Sequence, residues 1–180
     1  MNPPATPASR AHWANDIFEL FRQYNITLVS YVPDAGHSQL ITLCESDAAF
    51  RGVALTTEEE GVALAAGAHL GGARSALLMQ SSGVGNCINM LSLVRTCGFP
   101  LLALVTMRGE WGEFNPWQVP MGQATPDVLE AMGMIVYRVS EPQAVRETVE
   151  AAIKLAINSQ AGVAVLLSQK LIGAKNFGRK

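Results

Sequence analysis

Thr56-Thr57-Glu58-Glu59-Glu60-Gly61-Val62-Ala63-Leu64-Ala65-Ala66-Gly67 reads as the end of a strand passing straight into a helix of small residues, with three carboxylates in the first turn. Thr57 is placed as the N-cap, and Glu60 follows at capping-box spacing. Acidic side chains suit the positive end of a helix dipole, which accounts for all three glutamates. The helix that follows, from Val62 to Leu70, is nearly all Ala, Gly, Val and Leu with no charged face. Such a helix is buried on most sides or packs on another subunit, so the carboxylates at its start are expected at the mouth of an enclosed space. A carboxyl there is a candidate for tuned acid/base chemistry.

The chain of 180 residues is one domain of ordinary size; 49% of its residues are hydrophobic and 16% charged. That apolar surplus implies a subunit interface. A formal net charge of -2 leaves no basic footprint for nucleic acid or an anionic membrane. Cys44, Cys87 and Cys97 are scattered and lack metal-ligand spacing, which fits a reduced, cytoplasmic setting. Residues 1–8 read as a flexible tail and not a signal peptide, residues 9–170 as the domain, and 171–180 as a basic tail. The apolar runs are too short to cross a bilayer.

Outward from the opening stretch, the pattern alternates. A helix is expected over 9–24, a strand over 26–32, a short helix over 36–44 capped by Asp34, and a strand over 52–56. Beyond the glutamate helix come a strand over 75–80, a tight turn at Ser81-Ser82-Gly83-Val84-Gly85-Asn86 opening a helix to about 96, and a strand over 100–107. Residues 108–123 are expected to be a long loop carrying Trp111, Phe114 and Trp117. Thr125-Pro126-Asp127 should start a helix ending at Gly133. A strand over 134–139, a capping box at Ser140-Glu141-Pro142-Gln143, a helix to about 158 and a strand over 163–167 complete the chain. The alternation predicts an α/β fold, a three-layer parallel sheet with helices on both faces.

In an open parallel sheet ligands bind beyond the carboxyl ends of the strands. Four segments should meet there: Pro33 to His37, Thr56 to Gly61, Ser81 to Asn86 and the 108–123 loop. The Gly83-Val84-Gly85 sequence lacks the third glycine and the later acidic residue of a dinucleotide fingerprint, and no Walker lysine is present. Glu59 is either a helix-start acid or the functional carboxyl. His37 is either a polar residue at a helix start or a substrate contact. Arg108 either pairs with an anionic substrate or with Glu110 or Glu113. Trp111 and Trp117 are pocket walls or interface anchors.

Taken together, Val32-Pro33-Asp34, Glu58-Glu59-Glu60-Gly61 with Ala65-Ala66-Gly67, Ser82-Gly83-Val84-Gly85-Asn86, Pro100-Leu101-Leu102 and Pro120-Met121-Gly122 before Thr125-Pro126 resemble the pyrimidine-binding domain of thiamine-diphosphate enzymes. The likeness extends to alpha subunits of sulfopyruvate decarboxylases, with phosphonopyruvate decarboxylases beside them, over residues 10–170. The resemblance implies that Glu59 is the cofactor-activating glutamate, hydrogen-bonded to N1′ of the aminopyrimidine. It also implies that Pro33, Ser82 and Gly83 line the cofactor, and that His37, Asn86, Arg108 and Gln118 face the substrate.

Members of that superfamily hold the diphosphate through Mg²⁺ with a Gly-Asp-Gly motif, which this sequence lacks. The resemblance therefore implies half of a site, with no metal ligand on this chain. A separate diphosphate-binding (beta) subunit would supply the Mg²⁺ half, in a hetero-oligomer with two or more copies of each chain. The expected activity is decarboxylation of a small 2-oxo acid, sulfopyruvate leading. A carboligase of the same cofactor class and a non-catalytic scaffold subunit are the alternatives.

Overall fold

A computed structural model describes residues 7–173, without the side chains of 7–12. The element order is α1 (Pro7–Gln23), β1 (Ile26–Tyr31), α2 (Ser38–Glu45), β2 (Arg51–Ala54), α3 (Glu58–Leu70), β3 (Arg74–Gln80), α4 (Ser81–Cys87), α5 (Ser92–Cys97), β4 (Leu101–Thr106), α6 (Val119–Ala131), β5 (Ile135–Val139), α7 (Val145–Ser159), β6 (Gly162–Leu167) and α8 (Gln169–Ile172). The six strands form one sheet in the order β2-β1-β3-β4-β6-β5, parallel at every pairing.

The reason for two covered faces lies in the strand sequences. β4 and β6 are buried at all six positions each, so alternate side chains point into two different cores. Ala76, Leu78, Leu102, Leu104, Val163, Val165 and Leu167 pack with Trp13, Ile17 and Phe21 of α1, Leu40 of α2 and Val149 and Ile153 of α7. Leu77, Met79, Leu101, Ala103, Val105, Ala164 and Leu166 pack with Val62 and Ala65 of α3, Val84 of α4, Val94 of α5 and Leu129 of α6. The expected three-layer architecture is thus present.

The strand order also explains where a site can form. The chain runs outward from β1 to β2, then α3 carries it back across the sheet to β3 on the far side of β1. That reversal opens a crevice beyond the carboxyl ends of β1 and β3, the switch point at which such sheets bind ligands.

Several local expectations are corrected. The first helix begins at Pro7, inside the expected tail; residues 1–6 and 174–180 lie outside the described residues. Thr57 precedes α3 without a side-chain cap bond; Glu60 instead reaches back to the Thr56 amide (2.9 Å). Ser81–Cys87 is helical from its first residue, so Gly83 and Gly85 lie in a helix and not in a tight turn. The helix expected to run to 96 is broken between Cys87 and Ser92. The Ser140–Gln143 box does not cap: a 3-10 turn over Pro142–Ala144 leads into α7, which starts without a side-chain cap bond.

The largest correction concerns the long loop. It ends at a 3-10 turn, Pro116–Gln118, and α6 starts at Val119, leaving Pro126 inside the helix. Thr125 is not a cap: buried, it donates to the carbonyl of Met121 (2.7 Å). The physical reason is at Gly122, whose missing Cβ would overlap the backbone carbonyl of Arg108. The close approach packs the first turn of α6 against the backbone at the start of the loop.

Leu104 is fully buried at the centre of the sheet. Leu104→Ala should cost about 2–5 kcal/mol of stability, read as a lowered denaturation midpoint with an unchanged denaturant slope.

Candidate functional site

The three glutamates opening α3 have different fates. Glu58 is 7% exposed, whereas Glu59 and Glu60 are exposed. Helical spacing accounts for the split, since Glu58 shares a face with the buried Val62 and Ala65, four and seven residues on. Glu59 shares the opposite face with Ala63, Gly67 and Leu70, all exposed. The carboxyl enclosed within this chain is therefore Glu58, while Glu59 stands on the uncovered face of the helix. That periodicity was present in the sequence as a signal.

Two features of α4 receive the Glu58 side chain. Asn86 donates from Nδ2 to Glu58 Oε2 (2.8 Å). A Cβ on Gly83 would overlap the Glu58 carboxylate, so only glycine allows this approach. Oε1 has no hydrogen-bond partner among the described residues. Burial, with the nearby Glu58 charge, pushes the adjacent Cys87 thiol up to about 12, which makes it an inert core residue at neutral pH.

Beyond the end of β3 a second polar group assembles. Gln80 Nε2 donates to Ser82 Oγ (2.7 Å) and to Gln118 Oε1 (3.2 Å), so Ser82 and Gln118 share one donor. Gln80 itself was not foreseen, because it reads as the last residue of a strand. Pro33 is exposed at the end of β1. Asp34 does not cap α2; it accepts from Thr106 Oγ1 (2.5 Å), and α2 starts without a side-chain cap bond.

Two residues expected at the substrate are engaged within the chain. His37 is completely buried, and its Nε2 meets the carbonyl of Leu104 (3.0 Å). Burial lowers its pKa, opposed by the charge of Asp34, so the ring is a neutral core group with no surface to offer a substrate.

Arg108 is committed as well. Its Nε and Nη2 donate to the two oxygens of Glu113, both at 2.6 Å. Such a two-point pair is geometrically specific. Glu113 also accepts from the amides of Gly109 (3.2 Å) and Asn115 (3.0 Å) and from Nε2 of Gln169 (2.9 Å). Together these bonds, the Arg108 guanidinium first, hold the Glu113 carboxyl down at about 2 against its ordinary 4.5. The loop is thus tied around a buried ion pair, while Trp111, Phe114 and Trp117 stand exposed at 44, 51 and 83%.

A six-stranded parallel sheet with helices on both faces, and a carboxylate enclosed at the start of α3, defines a three-layer α/β domain. No protein-family model matches the chain, but individual proteins do. It is 34% identical over 152 residues to the sulfopyruvate decarboxylase subunit alpha of Methanococcus maripaludis, covering 84% of this chain and 91% of that one. The corresponding subunit of Methanothermobacter thermautotrophicus is 38% identical over 137 residues, covering 76% and 83%. A phosphonopyruvate decarboxylase of Streptomyces viridochromogenes is 39% identical over 111 residues, which are 61% of this chain and 28% of that longer protein. Among solved structures, a 2-oxoglutarate:ferredoxin oxidoreductase from Magnetococcus marinus superposes with a TM-score of 0.69 at 14% identity, over 89% of this chain and 29% of the other; that likeness bears on the fold. The chain belongs to the family of sulfopyruvate decarboxylase alpha subunits.

Two tests follow from the geometry. Gly83→Ala should displace the Glu58 carboxylate and so weaken any ligand held by it at least about tenfold, or roughly 1.4 kcal/mol, in a direct binding titration with far-UV circular dichroism unchanged. Glu113 has a folded pKa below its unfolded value. Its stabilising contribution is therefore complete above pH 4.5 and is lost as the pH falls toward about 2. The thermal midpoint of Glu113→Gln should be well below wild type at pH 6, and the gap should close steadily on acidification.

Proposed function

We propose that this chain is the pyrimidine-binding subunit of a thiamine-diphosphate-dependent 2-oxo acid decarboxylase, with sulfopyruvate as the leading substrate. One observation carries the reading: a carboxylate enclosed at the start of α3, one oxygen held by Asn86 and the other resting over Gly83. When bound, thiamine diphosphate supplies the carbon nucleophile and the electron sink that loss of carbon dioxide from a 2-oxo acid requires.

The residues present fit that group. A carboxyl fixed through one oxygen leaves the other to share a proton with a ring nitrogen, and a setting of low dielectric strengthens such sharing. Gly83 supplies the close approach, and exposed Pro33 gives an apolar edge for a flat ring. Glu58 takes the role first expected of Glu59, which the same helix turns outward. Asn86 fixes the orientation of Glu58. Ser82, Gln80 and Gln118 form a neutral hydrogen-bonding group on the substrate side.

The Arg108–Glu113 pair leaves the cationic recognition of a sulfonate to a separate beta subunit, which would also hold the diphosphate and Mg²⁺. Two observations support such a partner. The alpha-subunit relatives carry a subunit designation in their names. In addition, α3 leaves Ala63, Gly67 and an 88% exposed Leu70 uncovered, starting from the same turn as the candidate carboxyl. A soluble cytoplasmic complex with two or more copies of each chain fits this surface, and among the described residues no helix is long and apolar enough to cross a membrane.

The test is carbon dioxide release from a panel of 2-oxo acids, using this chain with its partner subunit, thiamine diphosphate and Mg²⁺. Glu58→Gln should lower the rate by about 10²–10⁴, the usual range for losing a positioned acid/base group, while Glu59→Gln stays within about threefold of wild type. The reverse pattern would return the role to Glu59. Cofactor-dependent release unaffected by either change would overturn the catalytic reading of this helix start.

A further inference from the structure

Gln169 opens α8 just after β6, far in sequence from the other segments at this edge, yet the residue is 2% exposed and its side chain is used at both ends. Its Oε1 accepts from the amides of Glu110 and Trp111, each at 3.1 Å. Its Nε2 donates to Glu113 (2.9 Å), and its own backbone amide donates to Glu110 Oε1 (2.8 Å). Glu110 is in turn paired with Arg138 at the end of β5. The loop after β4 is thereby clamped to the ends of β5 and β6.

We infer that Gln169 is a positioning residue for the substrate side of the site: it sets the conformation of the 108–115 loop, and through it the place of Gln118. The connection is continuous. Gln169 and Arg108 converge on Glu113, whose carboxylate also takes the Asn115 amide. Asn115 caps the following 3-10 turn, its Oδ1 accepting from Trp117 and its carbonyl from the Gln118 amide (3.0 Å). From the other side, Gly109 lies so close to the Gln118 carbonyl that a Cβ would overlap it. Gln118 then meets Gln80. Only a primary amide of this length serves at 169, because it must accept from two amides and donate to a carboxylate at once. A carboxylate there could do the first but would oppose Glu113 and Glu110, and an apolar isostere could do neither.

The experiment uses the full chain in complex with its partner subunit and compares wild type, Gln169→Glu and Gln169→Leu. Acrylamide quenching reports the loop and the turn it sets, since Trp111 lies in the one and Trp117 in the other, while Trp13 is buried. Trypsin cleavage after Arg108 reports it independently. At pH 8 both variants should show raised quenching and about tenfold faster cleavage. Burial beside the carboxylates of Glu110 and Glu113 raises the introduced carboxyl of Gln169→Glu, so lowering the pH restores its proton and a donor, and that variant alone should return toward wild type. KM for the 2-oxo acid should rise about tenfold with cofactor affinity unchanged.

The kinetic arm rests on the proposed decarboxylase reading, whereas the quenching and cleavage arms do not. An inactive complex with a loosened, acid-rescued loop would therefore refute that reading and leave the clamp standing. Variants matching wild type in quenching and cleavage would refute the clamp. A loosened loop with unchanged KM would refute its link to Gln118. Should Gln169→Glu fail to fold, Gln169→Leu decides by the same readouts.

Discussion

A sheet whose central strands are buried on both faces leaves polar chemistry one place to go. β4 and β6 have no exposed position, and a buried polar side chain without partners is costly. Charged and amide groups therefore collect beyond the carboxyl ends of the strands. Glu58, Gln80, Arg108 and Gln169 all stand within a few residues of a strand terminus, on four different strands. The crossover of α3 between β2 and β3 then decides which of these termini flank the crevice.

Within that edge the charges are arranged in two units of different character. Arg108 and Glu113 are closed upon each other, with amides of the loop and Gln169 completing the bonding of the carboxylate. Burying a charge is tolerable when it is paired and hydrogen-bonded in this way. Glu58 is the open case: one oxygen is held, and among the described residues no cation pairs with it. A paired charge suits a scaffold, and a partly satisfied one is open to a further partner. This contrast separates the loop's anchor from the proposed reacting group more clearly than their positions do.

The aromatic side chains of the loop follow from the same division. Trp117 is 83% exposed although the backbone beneath it is held by Asn115 and the Glu113 network. A rigid base presenting large apolar rings suits a contact surface. The bare face of α3 beyond Glu59 is a second such surface. The 49% hydrophobic content is accordingly accounted for by a double core together with uncovered apolar positions on α3 and the loop.

The sequence by itself determined the parallel three-layer sheet, the six strands and the convergence of their carboxyl ends. Runs such as Leu101–Thr106, buried on both faces, admit little else. It also carried the α3 glutamate turn, although the choice between Glu58 and Glu59 required following the helix to Val62 and Ala65. Tertiary structure alone decided what lies far apart in the chain. Gln169 against Glu113, Asn86 against Glu58 and the carbonyl of Leu104 against His37 are contacts across 56, 28 and 67 residues, and no local pattern encodes them. The start of α6 at Val119 belongs with these, because Gly122 matters only through the Arg108 backbone packed against it. Periodicity fixes which face a side chain takes, while the partner waiting on that face is set by the strand order, and that order is a property of the folded sheet.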